Sequence, residues 1–193
     1  MKTKIINYKD VNAIEIIVNN LRNDEVAIIP CDTIYGIVAR VPQGQKKLEK
    51  MKGRPEGKPF LQLATLEMIK SELLAQLDTA IADCWPGPLT VILPTKHNGA
   101  IAYRVPADPF LMEILIALGQ PMYSTSVNSS GKAALNMFEH IVSEFKTKVP
   151  LIVEGILPEN SLPSTIIDAT QYPYKLIRQG AMDVGALLRD STS

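Results

Sequence analysis

VAIIP, Val26 to Pro30, followed at once by CDTIYGIVARV, Cys31 to Val41, decides the fold. The first run is short, apolar and β-branched, which reads as a buried strand. Only the polar step Asp32-Thr33 separates it from a second strand-like piece, and Gly36 in that piece allows a close backbone approach. Strands joined without an intervening helix do not build a strictly parallel sheet. Toward the N-terminus, Asp10 reads as a helix cap before Val11, Ile14, Ile17, Val18 and Leu21 at helical spacing, and Asn23-Asp24 ends that helix. In the other direction Gln45 to Met51 reads as a short basic helix. Further strands are expected at Pro59–Ala64, at LTVILP after Trp85-Pro86-Gly87-Pro88, and at Ile101–Pro106, Met122–Ser126, LIVEG and Thr165–Ala169. Helices are expected over Leu66–Leu77, with Leu66, Ile69, Leu73 and Leu77 on one face, over Pro109–Leu118 with Gly119 as C-cap, around Phe138–Phe145, and from Asp183 to about Leu188. The expectation is a single α/β domain over residues 1–193, with a mixed sheet and flanking helices.

Lys plus Arg equals Asp plus Glu, 20 of each, so no global field holds this chain on nucleic acid or anionic lipid. Any such contact must come from a patch. Two cysteines, Cys31 and Cys84, and two histidines in no ligand spacing argue against a zinc site and a disulfide scaffold. MKTKIINYKD has no apolar core for a signal peptide, and no later run reaches membrane-spanning length. A cytoplasmic protein with no membrane partner is expected.

The patch is KGRPEGKPF, Lys52 to Phe60. Two glycines and two prolines in nine residues exclude a regular helix. From Lys46 to Lys58, Lys46, Lys47, Lys50, Lys52, Arg54 and Lys58 face only Glu49 and Glu56, so the loop is locally cationic in a neutral chain. It reads either as a solvated turn after a helix or as a surface meeting an anion. Three further polar stations stand at strand ends: Asp32-Thr33-Tyr35, Arg104, and Ser124-Thr125-Ser126 with Asn128, Ser129, Ser130 and Gly131. Strand ends facing one crevice are where open α/β sheets bind ligands. STSVNSSG has the donors to wrap an oxyanion, or to satisfy its own turn. Arg104 lies inside an apolar strand and needs a structural carboxylate or an anionic ligand as its partner. Trp85 reads as core or as pocket floor. His97 and His140 have no matching nucleophile, and Cys31 reads as a small strand-end residue. The chemistry indicated is the positioning of anions and the stabilisation of charge.

Seven blocks then occur in order: PCDTIYGIV (Pro30 to Val38), KGRPEGKPF, WPGPLTVIL (Trp85 to Leu93), RVP (Arg104 to Pro106), STSVNSSG (Ser124 to Gly131), PSTIID (Pro163 to Asp168) and IRQG (Ile177 to Gly180). Together they closely resemble the YrdC family, the L-threonylcarbamoyl-AMP synthases, over nearly the whole chain, at a length that fits the short single-domain form. The resemblance implies a twisted sheet around a positively charged concave cavity. It implies the joining of L-threonine, bicarbonate and ATP into threonylcarbamoyl-adenylate and pyrophosphate, with Mg²⁺ on the triphosphate. A downstream threonylcarbamoyl transferase complex would then modify tRNA.

By the same resemblance, Lys52 and Arg54 are the catalytic cations at the phosphates and carbamate. Ser124, Ser126 and Asn128 surround the nucleotide, Thr33 and Tyr35 help hold threonine, and Arg104 takes its carboxylate. Ser164 and Arg178 close over ligand and nucleotide. Cys31 replaces the family's usual Thr, Val127 its usual Ala, and Leu63 stands where many longer members have a histidine. Two rival readings differ in chemistry. One is a non-catalytic protein of the same fold that binds double-stranded RNA or tRNA and shows steep salt dependence. The other is a relative acting on another carbamoyl or acyl-adenylate substrate.

Overall fold

The hairpin that opens the reading is present. In the computed structural model, which describes residues 2–53, 59–128, 133–158 and 160–190, β2 (Ala27–Cys31) and β3 (Ile34–Arg40) pair antiparallel from Ala27↔Val38 to Cys31↔Ile34. Between them Asp32 sits at φ 47°, and the Thr33 amide donates back to the Cys31 carbonyl. Asp tolerates this left-handed backbone better than most residues because its short polar side chain bonds locally.

Around the hairpin, β1 (Lys4–Asn7), β4 (Leu61–Leu63), β5 (Leu89–Pro94), β6 (Ala100–Arg104), β7 (Met122–Ser126), β8 (Leu151–Glu154), β9 (Thr165–Asp168) and β10 (Lys175–Arg178) complete one sheet. Its order is β1-β8-β2-β3-β7-β4-β6-β5-β9-β10. β8 runs parallel to β1 and β2, β4 to β6, and β5 to β9, while the other neighbours are antiparallel. The sheet is mixed, as the helix-free strand pairs require.

Side chains alternate between the faces of a strand, so the buried clusters tell which helix covers which face. Ile28, Ile37, Tyr123 and Ile152 pack with Leu48 of α2 (Gln45–Lys52) and with Ile141 and Phe145 of α6 (Phe138–Phe145). On the same face, Leu89, Val91, Tyr103 and Ile167 pack with Ile69 of α3 (Leu66–Glu72), Ile81 of α4 (Thr79–Ala82) and Leu187 of α7 (Gly185–Asp190). The opposite face is covered over one half only. There Ile29, Val38, Leu63 and Met122 meet Ile17 and Leu21 of α1 (Ala13–Arg22) and Leu111 and Leu115 of α5 (Pro109–Leu118). Gly119 does cap α5, at φ 76°. No helix among the described residues is long and apolar enough to cross a membrane.

Two expectations are corrected, and the two edge strands, β1 and β10, are additions to the sequence reading. Asp10 does not cap α1: its carboxylate accepts the Asn7 amide behind it, at 3.0 Å, so the helix starts at Ala13 and Val11 is fully exposed. The helix expected over Leu66–Leu77 stops at Glu72, because the exit of β5 competes for its end. The Lys96 amide takes the Glu72 carbonyl at 2.9 Å, the Leu74 amide donates to Pro94 at 3.2 Å, and Leu73 bridges Thr95. A short α4 follows, capped by Asp78, whose carboxylate accepts the Ala80 amide. β1 was not anticipated, since Ile5 and Ile6 are too short an apolar pair to announce a strand. Trp85 resolves as core, its indole donating to the Leu89 carbonyl at 2.7 Å.

Burial pushes the Cys31 thiol up to about 12 and the Tyr103 phenol up to about 12. Both folded values are raised, so the protonated forms favour the fold, fully below about pH 9 and progressively less as pH climbs toward 12. The denaturant midpoint is therefore predicted to fall between about pH 8 and about pH 11. An unchanged midpoint would contradict the burial of these two groups.

Candidate functional site

The uncovered half of the second face is a cavity of about 460 Å³. Register explains why it is empty. Residues paired across neighbouring strands share a face, so Gly36 with Ser126, Ser124 with Leu61, Ala102 with Ile92, and Thr90 with Ile166 form successive rows of one floor. Those rows are mostly small or hydroxyl-bearing where the α1–α5 half of the face carries large apolar groups. A Cβ added at Gly36 would stand 2.8 Å from Cys31 Sγ and 2.9 Å from Ser124 Oγ, so glycine is what lets the turn and β7 close together there.

Two cations reach this floor from its rows. Arg104 pairs with Leu63 in register and is 1% exposed. Its NH1 donates to Asp32 Oδ1 at 2.5 Å and its NH2 to the Cys31 carbonyl at 3.3 Å. Of the two partners left open for it by sequence, the structural carboxylate is present in Asp32, while Arg104 itself lines the cavity. Arg178 pairs with Ile166, and its NH2 donates to the Ser164 carbonyl at 2.7 Å. Ser164 Oγ and Thr90 Oγ1 lie 2.7 Å apart and buried. A Cβ at Gly180 would lie 2.2 Å from the Pro163 carbonyl, so glycine allows the strand carrying Arg178 to press on the segment carrying Ser164.

The residues expected at the site gather to different degrees. Thr33, Tyr35, Arg104, Ser124, Ser126, Ser164 and Arg178 all line the cavity. Lys52 and Asn128 are outside its lining and reach it through Ser126, while Asn128 also lines a separate hollow beside α2 and α6. Lys52 Nζ donates to the Ser126 carbonyl at 3.0 Å, to the Asn128 carbonyl at 2.8 Å and to Asn128 Oδ1, which also accepts from Ser126 Oγ at 3.0 Å. The basic segment and the Ser-x-Asn segment, 74 positions apart, therefore meet. Arg54, Lys58, Ser129, Ser130 and Gly131 lie outside the described residues. Tyr35 borders the cavity only by its place in β3: its ring packs with Ile28, Ile37 and Tyr123 on the opposite face of the sheet, and its hydroxyl donates to the Gly155 carbonyl and accepts the Gly155 amide, both at 2.9 Å.

No carboxylate appears among the described lining residues, and no cluster of His, Cys, Asp or Glu among the described residues could hold a metal. Cys31 is protonated at neutral pH by its burial, which removes it as a nucleophile. Sequence reasoning placed Asp32 in a polar station without giving it a role, and passed over Thr90. Asp32 was visible as a polar step, but its partner is 72 positions away. Thr90 was hidden in an apolar strand.

The class this defines is an α/β protein with a hollow on one face of a mixed sheet, lined by hydroxyls and two arginines. The comparisons give it a family. The Sua5_yciO_yrdC family profile, described as "Telomere recombination", matches residues 19–180, and the chain belongs to that family. A curated relative from Pyrococcus abyssi named threonylcarbamoyl-AMP synthase is 27% identical over 177 residues, covering 84% of this chain and 52% of its own length. The structure of P. abyssi Sua5 complexed with L-threonine superposes with a TM-score of 0.87 at 26% identity, over 97% of this chain and 60% of that one. Escherichia coli YciO shares the fold, with a TM-score of 0.85 at 23% identity over 96% of this chain and all of its own. The chain spans about half the length of the curated relatives it matches.

Gly36→Ala is predicted to lower unfolding free energy by about 1–3 kcal/mol, the usual cost of overpacking a close contact. A denaturation curve matching the parent protein would show that the turn and β7 have room to separate. Cys31 is predicted to resist alkylation at about pH 8 in the folded protein while the unfolded chain labels fully, and labelling at equal rates would refute its burial.

Proposed function

We propose that this chain joins L-threonine, bicarbonate and ATP into threonylcarbamoyl-adenylate and pyrophosphate. The observation that carries the reading is the convergence of Arg104, Arg178, Ser124 and Ser126 in one cavity, with Lys52 and Asn128 bonded to its rim. The names of the curated relatives and the threonine complex of P. abyssi Sua5 support it.

In this reading threonine lies at the Arg104 end. Arg104 takes the α-carboxylate with the guanidinium donors that Asp32 and Cys31 leave over, a planar match suited to arginine. Thr33, buried beside it, faces the amino acid. Tyr35 packs on the far side of the sheet beneath the cavity and, through Gly155, fixes the chain leaving β8. The amine takes up the bicarbonate carbon, releasing water and leaving a carbamate. A carbamate oxygen attacks the α-phosphorus of ATP, the bond to the β-phosphate breaks, and pyrophosphate departs. Nucleotidyl transfer of this kind depends on alignment and charge neutralisation more than on covalent help.

Lys52 and Arg54 supply that neutralisation at the phosphates. Ser124, Ser126 and Asn128 orient the nucleotide, and Ser164 with Arg178 closes the far side. Mg²⁺ arrives as part of the nucleotide substrate, held by phosphate oxygens and water, since the described lining offers no carboxylate cage. The product passes to a threonylcarbamoyl transferase complex that modifies tRNA. The whole chain, residues 1–193, serves as one domain in the cytoplasm.

Mass spectrometry after incubation with ATP, bicarbonate and L-threonine is predicted to show threonylcarbamoyl-adenylate, with pyrophosphate release requiring all three. Turnover of ATP indifferent to threonine would defeat the reading. Lys52→Ala and Arg54→Ala are each predicted to cut turnover by about 10²–10³, on the scale of losing one transition-state charge stabiliser. Near-normal rates in either would remove that residue from the mechanism.

A further inference from the structure

Asp32 joins three parts of the molecule beside Arg104, between the lining residues Cys31 and Thr33 but outside the lining itself. It occupies the left-handed turn of the β2–β3 hairpin, at φ 47°. Its Oδ1 accepts from Arg104 NH1 at 2.5 Å, and its Oδ2 accepts the Ala107 amide, just beyond β6, at 3.2 Å. Both side chains of the pair are largely withdrawn from water, Arg104 at 2% and Asp32 at 16% exposure. Arg104 NH2 is held by the Cys31 carbonyl, one residue before Asp32, and its Nε has no partner among the described residues. The turn therefore grips one side of the guanidinium by charge and by backbone together.

A left-handed turn position does not call for a carboxylate, since glycine fits it with no steric cost. A buried ion pair is also weak evidence for stability, because its desolvation offsets its attraction. What the pair supplies here is orientation: a long cationic side chain fixed at a cavity wall. We propose that Asp32 is a positioning residue that sets the Arg104 guanidinium for the carboxylate of the amino-acid substrate. The inference rests on the reading of the cavity as a threonine site. Asp32 does not touch the substrate, and its effect on binding passes through Arg104.

Two variants test this. Asp32→Asn keeps the size and the tolerance for the turn but loses the charge. Asp32→Gly favours the turn and removes the side chain. In both, the apparent KM for threonine is expected to rise by about tenfold or more while that for ATP stays within about twofold, the split that marks loss at one subsite. Wild-type threonine affinity in Asp32→Gly would overturn the proposal, since the side chain would then matter only to the turn. Equal rises for threonine and ATP, or loss of cooperative melting in both variants, would make Asp32 a structural prop and overturn it as well. Should the parent protein release no pyrophosphate, the proposed reaction fails separately, and calorimetric titration of L-threonine into parent and variants still decides. Binding to the parent weakened in both variants sustains the positioning role, and no binding to the parent ends it.

Discussion

A sheet ten strands wide has two faces to hide from water, and among the described residues only one of them is covered across its central strands. Five helices cover that face, while α1 and α5 cover half of the other. Where the second face changes from Val38, Leu63 and Met122 to Gly36, Ala102, Ser124 and Thr90, there is neither the bulk nor the apolar surface to draw a helix down. The hollow is a consequence of that change in side chains along continuous strands. Rigid strands then hold its polar groups in fixed relative positions, which a loop-built site would not.

Charge makes the hollow specific. Arg104 is buried to 1% exposure, and a cation in that position survives only because Asp32 and the Cys31 carbonyl compensate it. Elsewhere Lys52 bonds to the Ser126 and Asn128 carbonyls and to Asn128 Oδ1, tying the end of α2 to the end of β7. Arg104 is fixed deep in the floor by a carboxylate, and Lys52 stands where two segments distant in sequence meet.

Much of this was legible from the residues. The β2–β3 hairpin, the mixed sheet, the basic helix α2 and the capped α5 each follow from local period and turn chemistry. The ordered blocks contain the seven expected site residues found among those that line the cavity. What was not legible depended on partners distant in sequence. Leu73 left the helical path because β5 took the hydrogen bonds at its end, and Asp10 turned toward β1 instead of α1. The commitment of the Tyr35 hydroxyl to Gly155, 120 positions on, has no local sign. Nor does the pairing of Asp32 with Arg104.

The account's central claim is that one cavity receives both the amino acid and the nucleotide. A crystal structure of the protein with L-threonine and a non-hydrolysable ATP analogue tests it most directly. The account predicts the threonine carboxylate within hydrogen-bonding distance of Arg104, with the phosphates running along Ser124 and Ser126 toward Lys52. Nucleotide seated instead in the separate hollow between α2 and α6, with Arg104 and Ser126 bare, would contradict it.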